Sequence, residues 1–152
     1  GDGTHVEVGH NFRMTNVAAA IGRVQLDRLP GYTEQRREHA RRLNRAVADS
    51  PLVAPTEPED RMHVYHQYTV RCQAREATAS ALETLGVDTG VYYPTPVNRE
   101  PAYADVDPST PVADRLAGEV LSLPVGPHLT EEDLDRVTIA LAYLEEYLDD
   151  GT

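Results

Sequence analysis

GHNFRMTNVAAAIGRVQLDRL, residues 9–29, sets a polar tip directly on an apolar helix. After its opening glycine come His10, Asn11, Phe12 and Arg13, so an amide, an aromatic face and a guanidinium stand within four residues. Thr15 or Asn16 is placed to cap a helix, since either side-chain oxygen can accept from a free N–H of the first turn. Val17, Ala18, Ala19, Ala20 and Ile21 then leave no polar face, and Gly22 removes a side chain where a second backbone can approach. A helix apolar all round is normally enclosed. The expectation is an anion-friendly tip on a helix that something else covers.

Downstream, Pro30-Gly31 is expected to end that helix, and Thr33, Glu34 and Gln35 to open a second one over 33–49. Its apolar stripe is narrow: Ala40, Leu43 and Val47. Arg36, Arg37, Arg41, Arg42 and Arg45 crowd the remainder and read as a solvated face, with Glu34 and Glu38 pairing to arginines a turn away. Residues 50–61 carry three prolines and three acidic residues and form an irregular connection. A strand is expected over 64–72, a helix over 74–85 ended by Gly86, a second strand over 87–93 and a third over 120–125. Residues 94–108 make a long proline-punctuated loop, a candidate for binding. Thr110-Pro111 carries the cap and first-turn proline of a short helix.

The last helix is the clearest. Thr130 and Asp133 form an approximate capping box, and Leu134, Val137, Leu141, Leu144 and Leu148 recur at spacings of three and four. Two long helices followed by alternating strands and helices describe an α+β domain, a small, mostly antiparallel three-stranded sheet with helices packed on one face. The 152 residues suit one domain. They show no signal peptide, and the apolar run at 17–21 is too short to span a bilayer. One cysteine, Cys72, excludes an internal disulfide and fits a reducing, cytoplasmic compartment. A formal charge of −11 disfavours nucleic acid and anionic membranes as partners. All fourteen basic residues are arginines; there is no lysine.

The run G-x-N-x-R-M-T, followed by A-A-x-G-x-x-Q-L, resembles the segment after the active-site lysine in the DegT/DnrJ/StrS family. These are fold-type-I, pyridoxal-phosphate-dependent aminotransferases that act mostly on nucleotide-linked keto sugars. The resemblance continues through His66-Gln67-Tyr68-Thr69-Val70, Gly90-Val91-Tyr92-Tyr93-Pro94-Thr95-Pro96, Pro101-Ala102-Tyr103, Leu121-Ser122-Leu123-Pro124 and Leu129-Thr130-Glu131-Glu132-Asp133. It implies the C-terminal small domain (30–152), an active-site segment and connecting helix that is buried in the intact enzyme (1–29), and no large cofactor domain. The implied partners are that missing domain or a separate chain carrying it, a second subunit in a homodimer, and nucleotide-sugar and amino-acid substrates. The implied reaction moves an amino group, usually from glutamate, to the keto sugar.

No catalytic residue is expected here. The family needs a lysine amine for its Schiff base, and a permanently protonated guanidinium cannot replace it. The resemblance assigns Asn11 to the cofactor phosphate of the neighbouring subunit, so that pyridoxal 5′-phosphate is shared across the dimer; an asparagine that turns the chain into a helix is the competing reading. Arg13 suits either a substrate phosphate or carboxylate, or an ordinary surface ion pair. Tyr92 and Tyr93 fall where the family builds its sugar-nucleotide pocket; on a strand only one of the two should face it. Tyr103 is expected from the far side of the loop. Asn98 stands near where relatives carry histidine, and it cannot titrate near neutral pH. For each tyrosine, core packing is an equal alternative. His63 and His66 do not read as metal ligands, because three apart on a strand they face opposite ways. A non-catalytic interaction module, or half of a split enzyme, is the rival reading of the whole chain.

Overall fold

The computed structural model describes residues 9, 13–103, 105 and 109–149. Within them lie four α-helices, α1 (Asn16–Ala48), α2 (Arg75–Thr84), α3 (Pro111–Glu119) and α4 (Glu131–Asp149), and two strands, β1 (Tyr68–Arg71) and β2 (Val120–Leu123). Two short 3-10 turns, Val97–Arg99 and Pro101–Tyr103, interrupt the long loop. The α+β class expected from the sequence is the one observed.

The strands are antiparallel, with Tyr68 opposite Leu123, Val70 opposite Leu121, and Thr69 opposite Ser122. Because side chains alternate along a strand, Tyr68, Val70, Leu121 and Leu123 share one face. That face meets Leu43 and Val47 of α1, Leu82 of α2, and Val137, Leu141 and Leu144 of α4 in one core. Burying each of these large side chains stabilises by about 1.5–3 kcal/mol. The phenol of Tyr68, fully enclosed, donates to Asn44 Oδ1 at 2.7 Å, which satisfies its one buried polar atom.

Two expectations are corrected. The second expected strand, over 87–93, reduces to a single bridge between Gly90 and Ser122. Beyond Gly90 the ring of Tyr92 folds back over the glycine so closely that a Cβ there would meet it at 2.6 Å, and a backbone making that fold cannot continue the pleat. On the other edge a bridge joins Val53 to Arg71. Secondly, the two long helices are one 33-residue helix that runs through Pro30. Proline removes the bond to the carbonyl four residues back, here that of Leu26. Both residues are exposed, so water can solvate the freed carbonyl and the helix continues.

Thr15 caps α1, its hydroxyl accepting from Ala18 N–H at 3.2 Å. Only Ala40, Leu43 and Val47 of α1 are buried. The stretch expected to need cover, with Val17, Ile21 and Val24 between 56% and 72% exposed, finds none among the described residues. α2 ends as expected: Gly86 has φ +80°, its N–H donates to Glu83 O and that of Val87 to Leu82 O, the paired bonds of a Schellman ending. At α4, Thr130 Oγ1 accepts from Asp133 N–H while Asp133 Oδ2 accepts from Thr130 N–H. The bond from the Thr130 N–H, with that from the Thr130 hydroxyl, holds the Asp133 carboxyl below the usual carboxylate range. Proline opens α3, but Thr110 does not cap it through its side chain; its hydroxyl donates to Asn98 Oδ1 instead.

Candidate functional site

The residues with chemistry to offer converge on an open groove of ≈650 Å³ beside β2 and the Gly90 bridge. One wall is the segment on either side of the Gly90 bridge, with Asp88 before it and Tyr92 and Tyr93 after it. Beneath it run His66 and Gln67, on the approach to β1. His128, past the end of β2, closes one side, its ring lying so near Gly126 that a Cβ there would meet it at 2.3 Å. Arg36 enters from α1.

Arg36 and its neighbour Arg37 have contrasting surroundings. Arg37 is a structural clasp, its Nη1 donating to Glu57 Oε1 at 2.7 Å and to the carbonyl of His63 at 2.6 Å. Glu57 also accepts from His63 N–H. The Arg37 guanidinium, with that N–H, holds the Glu57 carboxyl below its ordinary range. The clasp pins the proline-rich connection to α1 and supports Tyr65, which is buried at φ +46° with its N–H donating to His63 Nδ1. Arg36 has no such partner: its Nε is buried without a hydrogen bond among the described residues.

Tyr92 and Tyr93 both line the groove, their rings 6.0 Å apart and edge to face. The expectation that only one would do so assumed a strand, and the chain is not a strand there. Both are exposed, at 49% and 65%, which answers against core packing for this pair. Tyr103 sits 37% exposed in the second 3-10 turn, and Asn98 in the first, bonded to Thr110; neither lines the groove. Arg13 is exposed before α1, and the stretch of helix from Asn16 to Arg36 separates it from the groove by about 30 Å. Asn11 lies outside the described residues.

Arg36, His66, Gln67 and His128 were not singled out by sequence as ligand-binding groups. Arg36 did carry a signal. It stands four residues before Ala40 and seven before Leu43, which puts a charge on the buried stripe of α1 and not on its solvated face. The rest of the arginine-rich helix is solvated as expected, with Arg41 paired to Glu34 and Glu38.

A second recess, of ≈390 Å³, lies by Leu52, Cys72 and Glu119. Its cations Arg71 and Arg115 both pair with Glu119, so neither is left without a counter-charge. Burial pushes the Cys72 thiol pKa up, as befits a core residue. Among the described residues no group of three or more His, Cys, Asp or Glu is placed to hold a metal, and no helix is long and apolar enough to cross a membrane.

The model of the DegT/DnrJ/EryC1/StrS aminotransferase family matches residues 2–142. The chain is 39% identical over 145 residues to the pleiotropic regulatory protein of Geobacillus stearothermophilus, covering 91% of this chain and 39% of that protein. It is 35% identical over 150 residues to a dTDP-3-amino-3,4,6-trideoxy-alpha-D-glucose transaminase of Streptomyces venezuelae, covering 96% and 40%. The crystal structure of DesV from S. venezuelae, in complex with a ketimine intermediate, superposes with a TM-score of 0.81 at 32% identity over 93% of this chain and 38% of that one. The chain thus spans about two fifths of the length of the proteins it matches.

Proposed function

This chain belongs to the DegT/DnrJ/EryC1/StrS aminotransferase family, and from that membership we propose that it is the C-terminal domain of a pyridoxal-phosphate-dependent aminotransferase. The enzyme transfers an amino group from an amino acid, glutamate by preference, to a nucleotide-linked keto sugar. The observation that carries this reading is the match of α1 and the small domain, together, to sugar aminotransferase structures. The apolar face that α1 leaves uncovered supports it, since a large domain is the natural cover.

The chain's own residues do not complete a cofactor site. It has no lysine, and arginine cannot form the covalent link, so the lysine belongs to another segment or another chain. The cofactor supplies the electron sink for amino transfer; this domain supplies binding and orientation. In this reading Asn11 donates to the cofactor phosphate of a partner subunit, Arg13 holds an anionic substrate group, and Tyr92 and Tyr93 line the sugar-nucleotide pocket. Asn98 and Tyr103 position the loop beside that pocket. The assembly is a cytoplasmic homodimer.

The test is expression of the whole coding region and assay of amino transfer from glutamate to nucleotide-linked keto sugars. Truncation of Asn11 to alanine removes a bond to a charged group worth about 1.5–3 kcal/mol, or roughly ten- to a hundredfold in cofactor affinity. Subunits carrying Asn11→Ala, mixed with subunits lacking the lysine, regain one intact site per mixed dimer. Mixed dimers without activity would remove Asn11 from the shared site. The missing lysine favours one second reading, half of a split enzyme or a non-catalytic interaction module. A lysine-bearing large domain encoded next to this chain supports the enzyme, whole or split; none there supports the module.

A further inference from the structure

Tyr65 stands at φ +46° and is 4% exposed. A residue with a Cβ enters the left-handed region at a cost, and it stays there only where its surroundings hold it. Here the Tyr65 N–H donates to His63 Nδ1 at 2.8 Å. The two rings pack with centroids 4.2 Å apart, and Tyr65 stacks in turn on Tyr68 at 6.1 Å. The first of these contacts fixes the protonation state of His63. A backbone N–H can only donate, so Nδ1 must present its lone pair and the ring proton must sit on Nε2. The imidazolium has a proton on both nitrogens and offers no acceptor. It sets an N–H against an N–H, leaving a donor unpaired on a backbone that is already strained.

The charged groups around His63 act elsewhere. Arg37 from α1 donates to its carbonyl at 2.6 Å, and Glu57 from the proline-rich connection accepts from its N–H at 2.9 Å. Both bonds engage the His63 backbone, so a proton on the ring leaves them in place. The Tyr65 phenol, which donates to Glu57 Oε2 at 3.5 Å, is the remaining titratable group of this cluster. Next in the chain come His66 and Gln67, which line the groove beside β2. The geometry points to His63 as a proton-operated latch: the neutral imidazole holds Tyr65 in its left-handed turn and so fixes the approach to the groove, and the imidazolium lets that turn go. Histidine is the side chain that gains its charge between pH 5 and 8, so the latch opens on mild acidification. It requires nothing of the aminotransferase reading.

Backbone amide exchange over residues 64–68, corrected for the intrinsic rate at each pH, reads the latch in the 152-residue chain. The expected result is protection at pH 8 that falls by about tenfold or more at pH 5, the range for a buried donor left without its acceptor. Glu57 keeps its charge over this interval, because its carboxyl is held below the ordinary 4.5. His63→Asn places a carbonyl oxygen where Nδ1 stands and takes up no proton. Its protection is expected to be equal at the two pH values, although the other histidines are still present. In the parent, the 15N shifts of the His63 ring are expected to show the Nε2–H tautomer at pH 8. Parent protection that is unchanged between pH 8 and pH 5 overturns the inference. So does His63→Asn losing protection on acidification as the parent does, or an Nδ1–H tautomer at pH 8. Should His63→Asn fail to fold, the exchange and the tautomer of the parent decide the matter.

Discussion

At Arg37 and Glu57 a single ion pair, with the His63 backbone on both sides of it, ties the proline-rich connection to α1. The partners of Glu57 lower its folded pKa below the ordinary 4.5. A depressed carboxylate stabilises fully above the unfolded pKa and loses that contribution as pH falls through the folded value. Glu57→Gln is therefore expected to melt below the parent at neutral pH, with a gap that is constant down to about pH 4.5 and narrows steadily in stronger acid. Thermal melts of both proteins from pH 7 to pH 2 check it; a gap independent of pH would show that the carboxylate charge is not what Glu57 contributes. Neither this clasp nor the unpaired state of Arg36 was legible in the chain. Two adjacent arginines on one helix look alike until the fold assigns one to Glu57 and the other to a groove.

Helix ends were legible because their chemistry is local. Thr130 and Asp133 lie three apart, and the bonds they form need only that spacing and a helical turn. Gly86 follows α2 where a left-handed residue must stand, and φ +80° is what is found. Gly86→Ala meets no crowding, the nearest atom being Arg136 Cδ at 3.6 Å, so the penalty is conformational. It is expected to destabilise by about 1–2 kcal/mol in urea unfolding. Stability equal to the parent would show that the turn relaxes. Where sequence reasoning went astray, the element boundary depended on what lay outside it. Pro30 reads as a helix breaker, yet α1 passes through it because solvent reaches the freed carbonyl. The 87–93 segment has the composition of a strand, yet after one bridge Tyr92 turns back over Gly90.

On the scale of the molecule, α1 divides at about its middle. Its C-terminal half packs Leu43 and Val47 into the core, while Val17, Ile21 and Val24 form an exposed apolar line at helical spacing on the other half. Apolar patches of this kind drive association. The chain alone is expected to self-associate, with light scattering showing mass that rises with concentration, and Ile21→Glu with Val24→Glu is expected to restore a monomer. A parent that stays monomeric at high concentration would mean that the free half of α1 finds cover on its own domain.

Periodicity and local chemistry by themselves determined the α+β class, the last helix and the helix ends at Thr15, Gly86 and Thr130, because those depend on residues a turn apart. The order of motifs along the chain pointed to the aminotransferase family, and the absence of lysine showed that this chain cannot hold the cofactor covalently. Which tyrosines share a groove, and which of fourteen arginines stays unpaired there, was decided only by tertiary structure. Those facts depend on segments tens of residues apart: Arg36 from α1, His66 before β1, Tyr92 beyond the Gly90 bridge and His128 after β2. No spacing in a single stretch encodes where such segments meet, since it is the burial of the shared core that brings them together.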